Sequence, residues 1–302
     1  MNYYNQIKEE LINNELYKKV KDYSKNRSDL TTYYNVGKLI VEAQGGEKRA
    51  KYGDGLIKEY SKKLSADVGY KFNSRILWRA RKFYLIFREE KMSTLSTQLS
   101  WSHYVELIEL DDINIIEYYI HISIQQNLSV RQLRIKIKNK EYERLDAKTK
   151  EKLIKKEDSI VSDFIKNPIL IKNSYNYKEI SEKILKQLIL EDIDNFLSEL
   201  GEGFTYIKNE YKIKLGDRYN YIDLLLFNYI YNCFIAVELK VTELKKQDIG
   251  QIKLYMNYID KNVKSINQEN TIGIIICKKD NHFVMEYASD DRIFRTIYKI
   301  NS

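Results

Sequence analysis

The sequence predicts an α-helical N-terminal domain followed by an α/β C-terminal domain in which helices flank a mixed sheet. Apolar residues recur at helical spacing through much of residues 1–150. Apolar, β-favouring runs separated by short turns follow residue 200. The chain has 302 residues, which is enough for two domains with sizeable cores. It contains a single proline, so its helices can run long.

The individual elements follow from these patterns in chain order. In the N-terminal part we predict helices over residues 5–25, 29–43, 55–65, 73–88, 99–110, 113–126 and 129–142. Ser129, with Gln132 three residues later, is the predicted N-cap of the last of these helices. In the C-terminal part we predict helix 177–200, strands 204–215, 219–227 and 233–241, helix 246–260, and strands 271–277 and 283–287.

The segment between the two parts is charged and poorly periodic. Asn167-Pro168 interrupts any helix there, because the residue before a proline avoids helical geometry. We therefore predict domains at residues 1–150 and 176–302, joined by a linker at 151–175.

An acidic residue inside an apolar strand is the most informative feature of the C-terminal part. Asp223 lies in Tyr-Ile-Asp-Leu-Leu-Leu-Phe, where an ionised carboxylate needs a partner or a metal ion. The next strand carries Glu238 and Lys240 in Val-Glu-Leu-Lys, and strand periodicity puts both on one face. A lone Glu-x-Lys is usually a surface ion pair. Together with Asp223 it predicts a hard oxygen site for Mg²⁺ or Mn²⁺, beside an ammonium group suited to phosphodiester hydrolysis.

The order of Asp, then Glu-x-Lys, then a Gln-x-x-x-Tyr helix resembles the PD-(D/E)XK nucleases, and in particular the YhcG family. Further stretches carry the same resemblance: residues 33–40, 51–57, 99–108, 128–133, 196–204 and 250–255. The resemblance implies a restriction-endonuclease-like C-terminal domain that follows a helical N-terminal domain.

The resemblance also implies roles for individual residues. Asp223, Glu238 and the main-chain carbonyl of Leu239 would hold one divalent metal ion. Lys240 would orient the attacking water or help to deprotonate it. Gln251 would begin the helix that faces the site.

One position departs from the pattern of the family. Related nucleases carry another acidic residue on the helix that opens the domain, and this position is occupied by Lys186 here. Glu182 lies one helical turn earlier and is a candidate substitute, which would act on the metal ion through water. Glu191 is a weaker alternative.

The resemblance implies a metal-dependent endodeoxyribonuclease that acts in defence, in restriction or in DNA repair and recombination. The lysine at position 186 keeps a second interpretation open, in which the chain is a catalytically impaired DNA-binding or assembly subunit of a defence or restriction complex. The expected partners are DNA and defence-system proteins. A second copy of the chain is a further candidate partner, since enzymes that cut both DNA strands are often two-fold symmetric homodimers.

The net charge of +8 belongs to the first half of the chain. Residues 1–150 contain 28 Lys and Arg against 20 Asp and Glu, whereas residues 151–302 contain 23 of each kind. A basic first half beside a neutral, nuclease-like half indicates that the first half supplies much of the attraction to DNA phosphates.

Two basic helices of the first half are candidates for DNA contact. The candidate residues are Arg75, Arg79, Arg81 and Lys82 on helix 73–88, and Arg131, Arg134, Lys136 and Lys138 on helix 129–142. The alternative for each helix is a solvated basic face over an apolar core stripe. Tyr255 is a further candidate for DNA contact, with helix packing as its alternative.

The remaining composition argues against several classes of protein. No apolar run approaches the roughly 18 residues of a membrane span, and the first residues lack the core of a signal peptide, so we expect a cytoplasmic protein. Cys233 and Cys277 lie in apolar runs and are predicted to be buried thiols. His103, His121 and His282 have no companions at ligand spacing, which argues against a zinc site.

Overall fold

The structure, a computed structural model, describes residues 3–20, 25–46, 50–88, 96, 98–157, 160–286 and 290–301. The chain divides into two compact units, Met1–Tyr142 and Glu143–Ser302, which we call unit 1 and unit 2. Unit 1 is helical in its described part, and unit 2 contains a six-stranded sheet with helices. The predicted fold class is thereby confirmed.

Seven α-helices make up the described part of unit 1: α1 (Tyr3–Val20), α2 (Lys25–Ala43), α3 (Ala50–Asp67), α4 (Ser74–Phe87), α5 (Trp101–Leu107), α6 (Ile113–Gln125) and α7 (Val130–Lys138). Each corresponds to a predicted helix, although residues 21–24 of the first prediction lie outside the described residues. Ser129 caps α7 as predicted, since its hydroxyl accepts from the N–H of Gln132 while the Gln132 side chain accepts from the N–H of Ser129.

Close packing of α2 against α4 is a central contact of unit 1. Gly37 permits this approach, because a Cβ atom there would lie 2.1 Å from the main-chain oxygen of Ala80. A larger residue at position 37 would therefore force α2 and α4 apart. Trp101, at the start of α5, also packs on α2, where it stacks on Tyr33 with 4.2 Å between the ring centroids.

Unit 2 contains α8 (Ala147–Lys155), β1 (Ile169–Lys172), α9 (Glu182–Glu191), α10 (Ile193–Leu200), β2 (Phe204–Leu215), β3 (Arg218–Asn228), β4 (Cys233–Glu243), α11 (Lys246–Asn262), β5 (Glu269–Lys279), α12 (His282–Glu286) and β6 (Ile293–Asn301). The strand order in the sheet is β1-β6-β5-β4-β3-β2. β2, β3 and β4 pair antiparallel, whereas β4, β5, β6 and β1 pair parallel. The parallel pair of β4 and β5 needs a crossover connection, which α11 provides.

Each face of the sheet is covered by an apolar core. One core includes Leu185 of α9 and Val237 of β4. The other includes Ile252 and Met256 of α11 together with Ile275 of β5. Burial on both faces explains why the central strands read as nearly continuous apolar runs in the sequence.

Two of the predicted elements of unit 2 differ from the structure. The predicted helix 177–200 is two helices, α9 and α10, which meet at Asp192, where a φ of −130° interrupts the helical backbone. The strand predicted at 283–287 is wrong, because residues 282–286 form α12; residue 287 lies outside the described part of the chain. The last strand is β6, which was not predicted.

The segment predicted as a linker is folded within unit 2. Residues 151–175 contain the end of α8, a 3₁₀ turn at Val161–Phe164, and β1, which pairs with β6. The division between the units falls instead between Tyr142 and Glu143. β1 has only four residues, and so short a run carries too little periodicity to be recognised as a strand.

Two expectations from composition bear on the fold. Cys233 and Cys277 are buried free thiols, as predicted, and burial raises the pKa of each thiol to about 11. Both therefore pack as small apolar side chains. None of the helices in the described ranges combines the length and the apolar character of a membrane span.

A buried ion pair connects the first residues of unit 2 to the sheet. Glu199 of α10 accepts hydrogen bonds from Arg144 (Nη2 to Oε1, 2.9 Å) and from the N–H of Leu170 in β1 (2.9 Å). Arg144 also donates to the carbonyl of Pro168 (2.7 Å). The side chains of Arg144 and Glu199 are 9% and 3% exposed, so loss of either one leaves a buried charge without compensation.

We expect Glu199→Ala to lower the free energy of unfolding of unit 2 by about 3–5 kcal/mol, because Arg144 then remains buried without its anion. Chemical denaturation followed by far-ultraviolet circular dichroism measures this change. Tryptophan fluorescence is the wrong signal, since Trp78 and Trp101 both lie in unit 1.

The control for this variant is Lys155→Ala, which removes an exposed ion pair with Glu151. Its effect on the free energy of unfolding should stay below about 0.5 kcal/mol. Equal effects of the two substitutions would show that the Arg144–Glu199 pair does not stabilise unit 2.

Candidate active site

The two predicted acidic residues lie where β3 and β4 separate. Pairing of these strands ends at Leu224↔Val237, and Asp223 and Glu238 are the next residues beyond that pair. At this point the N–H of Leu239 donates to Oδ2 of Asp223 (2.9 Å). Both carboxylates are therefore carried on paired strands at one end of the shared ladder.

Lys186 of α9 contacts Asp223 directly. Its Nζ lies 2.6 Å from Oδ1 of Asp223 and 3.1 Å from Oε1 of Glu210. In the register of β2 and β3, Asn209 pairs with Leu224 and Tyr211 with Ile222, so Glu210 and Asp223 lie opposite each other between these pairs. Burial by itself would lower the pKa of Lys186, but the hydrogen bonds and charges of Asp223 and Glu210 outweigh burial and raise it. Lys186 is therefore an ammonium group at neutral pH.

Glu238 and Lys240 form the second ion pair of the site. The side chain of Glu238 is 4% exposed, and its Oε1 accepts from Nζ of Lys240 (2.7 Å). The other oxygen, Oε2, is buried and has no hydrogen-bond partner among the described residues. Burial, and then the negative charge of Asp223, raise the pKa of Glu238 to about 7 although Lys240 opposes the shift.

α11 brings Gln251 and Tyr255 to the same region. Nε2 of Gln251 donates to the hydroxyl of Tyr255 (2.8 Å). Tyr255 is 3% exposed and belongs to the core formed with α11. Burial raises the pKa of Tyr255, and the charges of Glu238 and Asp223 add to the effect. This placement favours the helix-packing interpretation of Tyr255 over direct contact with DNA.

Asp248 also belongs to the site and was not predicted. It lies in the first turn of α11, is 7% exposed, and accepts a hydrogen bond from the N–H of Lys245 (2.8 Å). Its Oδ1 lies 4.0 Å from Nζ of Lys240. An acidic residue in the first turn of a helix is the sequence signal that could have indicated Asp248, but that signal is common to structural caps. Lys240 thus lies near two carboxylates, those of Glu238 and Asp248.

The two candidate carboxylates of the helix that opens the domain lie at opposite ends of α9. Glu182 is the first residue of α9; after burial and nearer groups, its negative charge contributes to the raised pKa of Glu238 and of Lys240. Glu191 is the last residue and accepts from Nε2 of Gln187 (2.9 Å). The structure therefore brings Glu182, but not Glu191, within electrostatic reach of the site.

The oxygen atoms of the site fit a divalent cation that has few protein ligands. No group of three His, Cys, Asp or Glu side chains within the described ranges is arranged to hold a metal ion. Asp223 and Glu238 are the carboxylates that the strands bring to the end of the β3–β4 ladder, and Oε2 of Glu238 is buried and has no hydrogen-bond partner among the described residues. Mg²⁺ is commonly held through one or two carboxylates, with water and substrate phosphates completing its shell.

The predicted basic residues on α4 are largely engaged within unit 1. Three of the four have polar partners. Nε of Arg79 lies 3.8 Å from Oε1 of Glu109, and Nζ of Lys82 lies 3.7 Å from Oδ1 of Asp111. Nε of Arg81 donates a hydrogen bond to Oε1 of Gln44 (2.7 Å). The fourth, Arg75, is exposed. The surface of α4 is therefore less basic than its sequence suggests.

On α7 the predicted residues divide in the same way. Arg134 donates two hydrogen bonds to Glu106, at 2.7 and 3.1 Å. Lys136 is 11% exposed and its Nζ lies 2.8 Å from Glu141, so we correct its assignment as a DNA contact: the side chain points into unit 1. The remaining two residues of the predicted set, Arg131 and Lys138, are exposed.

A basic groove lies on unit 2 between α11 and the turn that joins β2 to β3. It has a volume of about 560 Å³, and Lys214, Lys253 and Lys261 line it together with Tyr258 and Asn257. None of its lining residues is acidic, although Asp290 lies 3.9 Å from Lys253. This groove was not predicted, because Lys214 of β2 is distant in sequence from Lys253 and Lys261 of α11, in a unit whose net charge is close to zero.

Comparison with known proteins identifies both parts of the chain. Residues 8–144 match the description "DUF1016 N-terminal domain", and residues 162–299 match "YhcG PDDEXK nuclease domain". An Escherichia coli (strain K12) protein named "Putative nuclease YhcG" is 27% identical over 294 residues, which cover 85% of this chain and 78% of that protein.

Two solved structures are also similar to part of this chain. A repair endonuclease from Pyrococcus abyssi is 20% identical with a TM-score of 0.29, over 40% of this chain and 48% of that one. A complex of EndoMS with double-stranded DNA is 16% identical with a TM-score of 0.30, over 41% and 48%. Each match spans less than half of the solved chain. The two matches together span most of the chain, which therefore consists of a DUF1016 N-terminal domain followed by a YhcG PD-(D/E)XK nuclease domain.

Proposed function

We propose that this protein is a metal-dependent endodeoxyribonuclease, which hydrolyses phosphodiester bonds of DNA. The observation that carries the proposal is the buried carboxylate of Glu238, whose Oε2 lacks a hydrogen-bond partner beside Lys240 and Asp223. An anionic oxygen buried in this way is costly unless a cation or a donor reaches it. A nuclease domain at residues 162–299 supports phosphodiester chemistry at this place.

Asp223 and Glu238 would hold the metal ion, together with the main-chain carbonyl of Leu239 and, through water, Glu182. When bound, Mg²⁺ or Mn²⁺ would polarise a phosphate oxygen and lower the pKa of water. The hydrogen bond from the N–H of Leu239 orients Asp223 for this role. Gln251, whose amide is oriented by Tyr255, would accept or donate a hydrogen bond at the attacking water or the phosphate.

Lys240 would act as a fixed positive charge. Burial by itself would lower its pKa, but the hydrogen bond and charge of Glu238 raise it, so the amine is protonated at neutral pH. Glu238 and Asp248 hold Nζ at 2.7 and 4.0 Å. A positioned ammonium group stabilises negative charge that develops on the phosphate in the transition state. Deprotonation of water by Lys240 requires a neutral amine, which both carboxylates disfavour.

DNA would contact exposed basic residues in both units. In unit 2 the basic groove and the proposed site share α11, since Gly250 lines the groove and the next residue, Gln251, belongs to the proposed site. Its lysines would each neutralise a backbone phosphate. In unit 1, Arg131 and Lys138 of α7 are the exposed members of the predicted set and would add further phosphate contacts.

A second candidate function is a catalytically impaired DNA-binding or assembly subunit. Lys186 favours it, because its ammonium group pairs with Oδ1 of Asp223 at 2.6 Å, on a carboxylate needed for metal binding. Incubation of the protein with linear, circular and branched DNA, in Mg²⁺, in Mn²⁺ and in EDTA, separates the two functions. Metal-dependent cleavage supports the nuclease, whereas DNA binding without cleavage in either metal supports the impaired subunit.

We expect Asp223→Asn and Glu238→Gln each to abolish metal-dependent cleavage, because each removes an anionic ligand while keeping the shape of the side chain. Lys240→Ala should lower the cleavage rate by roughly 10²-fold or more. Nicking of circular DNA under single-turnover conditions measures both effects.

The matched control for the carboxylate variants is Glu191→Gln, at the far end of α9, which should cleave like the unmodified protein. Cleavage by the unmodified protein in EDTA, or full activity of Asp223→Asn, would contradict the metal mechanism.

Glu238 should also make stability depend on pH in the absence of metal. Its pKa is raised to about 7 in the folded protein from an ordinary value of 4.5, so the folded state binds more protons between these values and its stability falls as pH rises through this window. Glu238→Gln removes the charge, so we expect it to be more stable than the unmodified protein above pH 7, by roughly 1–3 kcal/mol.

Chemical denaturation in EDTA at a series of pH values measures this difference. The advantage of Glu238→Gln should shrink as pH falls from 7 and should vanish below the ordinary carboxyl pKa, where both proteins carry a neutral side chain. A difference that is constant with pH would show that Glu238 does not titrate in this window.

The salt dependence of DNA binding distinguishes the two proposed binding surfaces. Lys214→Gln with Lys261→Gln should weaken binding and reduce the slope of log affinity against log salt by about 1.8, since each lost phosphate contact contributes about 0.9. Arg131→Gln with Lys138→Gln should have a similar effect if α7 contacts DNA. Fluorescence anisotropy at several salt concentrations measures both slopes.

The matched control is Lys155→Gln, which removes an exposed lysine that pairs with Glu151 and is not among the residues that line the basic groove. It should leave the slope unchanged. A surface whose double variant behaves like this control is a solvated face and takes no part in DNA binding.

A further inference from the structure

A lysine fills a cation position at the proposed nuclease site. Nζ of Lys186 lies 2.6 Å from Oδ1 of Asp223 and 3.1 Å from Oε1 of Glu210. The Lys186 side chain is 16% exposed, and the neighbouring Leu185 and Leu188 of α9 are buried in the core against the sheet. The packing of α9 on the sheet therefore fixes the position of the ammonium group beside the two carboxylates.

A second anionic position in the same site differs from the first. Oε1 of Glu238 is paired with Lys240, whereas Oε2 is buried and has no partner among the described residues. The ammonium group of Lys186 thus compensates the negative charge between Asp223 and Glu210. At Oε2 of Glu238 a cation or a hydrogen-bond donor is still needed.

We infer that Lys186 is a resident cation that limits the site to a single divalent metal ion, and that removal of its charge opens a second metal position between Asp223 and Glu210. The inference rests on the proposed metal-dependent function. A divalent ion in contact with Oδ1 of Asp223 would meet the ammonium group at short range, and like charges repel. The strand pairs on either side of Glu210 and Asp223, which are Asn209↔Leu224 and Tyr211↔Ile222, would keep the two carboxylates opposite each other when the lysine is replaced.

A purely structural role for Lys186 makes a different prediction. In that case replacing the lysine lowers the stability of unit 2, because Asp223 and Glu210 lose their common partner. The number of metal ions bound and their affinity would then stay as they are. Metal binding in the absence of DNA therefore separates the two roles without reference to catalysis.

The experiment is Mn²⁺ binding to the full chain without DNA, measured by titration calorimetry and by the paramagnetic resonance signal of free Mn²⁺. The unmodified protein and Lys186→Arg, which keeps the charge, should bind one ion per chain. Lys186→Met, which keeps most of the aliphatic stem, should bind two. Adding Glu210→Gln to Lys186→Met removes one carboxylate of the new position and should return the number to one.

Two controls accompany these variants. Lys183→Met changes the net charge equally at an exposed position of the same helix and should bind one ion. Glu238→Gln in the otherwise unmodified protein should lose the single ion, since this ion is assigned to Oε2. If circular dichroism shows that Lys186→Met does not fold, Lys186→Gln replaces it, with the same expected number of ions.

The outcomes separate this inference from the proposed function. One ion in both the unmodified protein and Lys186→Met, at equal affinity, overturns the role of Lys186 and leaves the metal-dependent nuclease intact. Two ions in the unmodified protein overturn it as well. If neither protein binds Mn²⁺, the inference and the metal-dependent function fail together.

Discussion

Charge compensation at the point where β3 separates from β4 is the constraint on which unit 2 depends. Asp223 and Glu238 are carried into a partly buried region by strands whose other residues form the core. A carboxylate in such a place needs a cation or several donors, because the protein interior solvates charge poorly. Lys186 and Lys240 supply one ammonium group to each. The two lysines arrive differently, one from a helix and one from the strand that bears its partner.

This arrangement couples the site to the packing of helices on both faces of the sheet. Lys186 reaches Asp223 only while α9 is docked through Leu185 on one face. Asp248 and Gln251 reach the same site from α11, which is docked through Ile252 on the other face. The geometry of the site is therefore a consequence of two separate apolar cores. Neither helix can shift without changing the charge balance at the end of the β3–β4 ladder.

Much of the fold and half of the site were predictable because they depend on local patterns. Strand alternation and an aspartate among leucines indicated Asp223, Glu238 and Lys240, and helical periodicity indicated the elements of unit 1. Glu210 carries no such signal: it is an exposed residue of a polar strand and enters the site only through its pairing opposite Asp223.

Other differences have the same physical origin. The sequence predicted that Lys186 lies on the helix that opens the domain. It did not predict the contact of Lys186 with Asp223, because this contact depends on how α9 packs against the sheet. The strand predicted at 283–287 failed because a short apolar run fits a helix turn as well as a strand. β1 was not predicted, because its four residues form a strand only by pairing with β6, which lies far along the chain. Contacts between residues distant in sequence decide each case.

Net charge does not show where unpaired positive charge lies on the surface. The first half of the chain carries the whole excess of +8, yet Arg134 and Lys136 of α7 are paired with carboxylates of their own unit. The second half is neutral, yet its groove gathers three lysines without an acidic residue in its lining. At physiological salt the field of a charge fades over about 8 Å, so a phosphate responds to the charges beside it and not to the total. Where lysines converge around a groove, the local potential therefore exceeds that beside a larger number of basic residues neutralised by their neighbours.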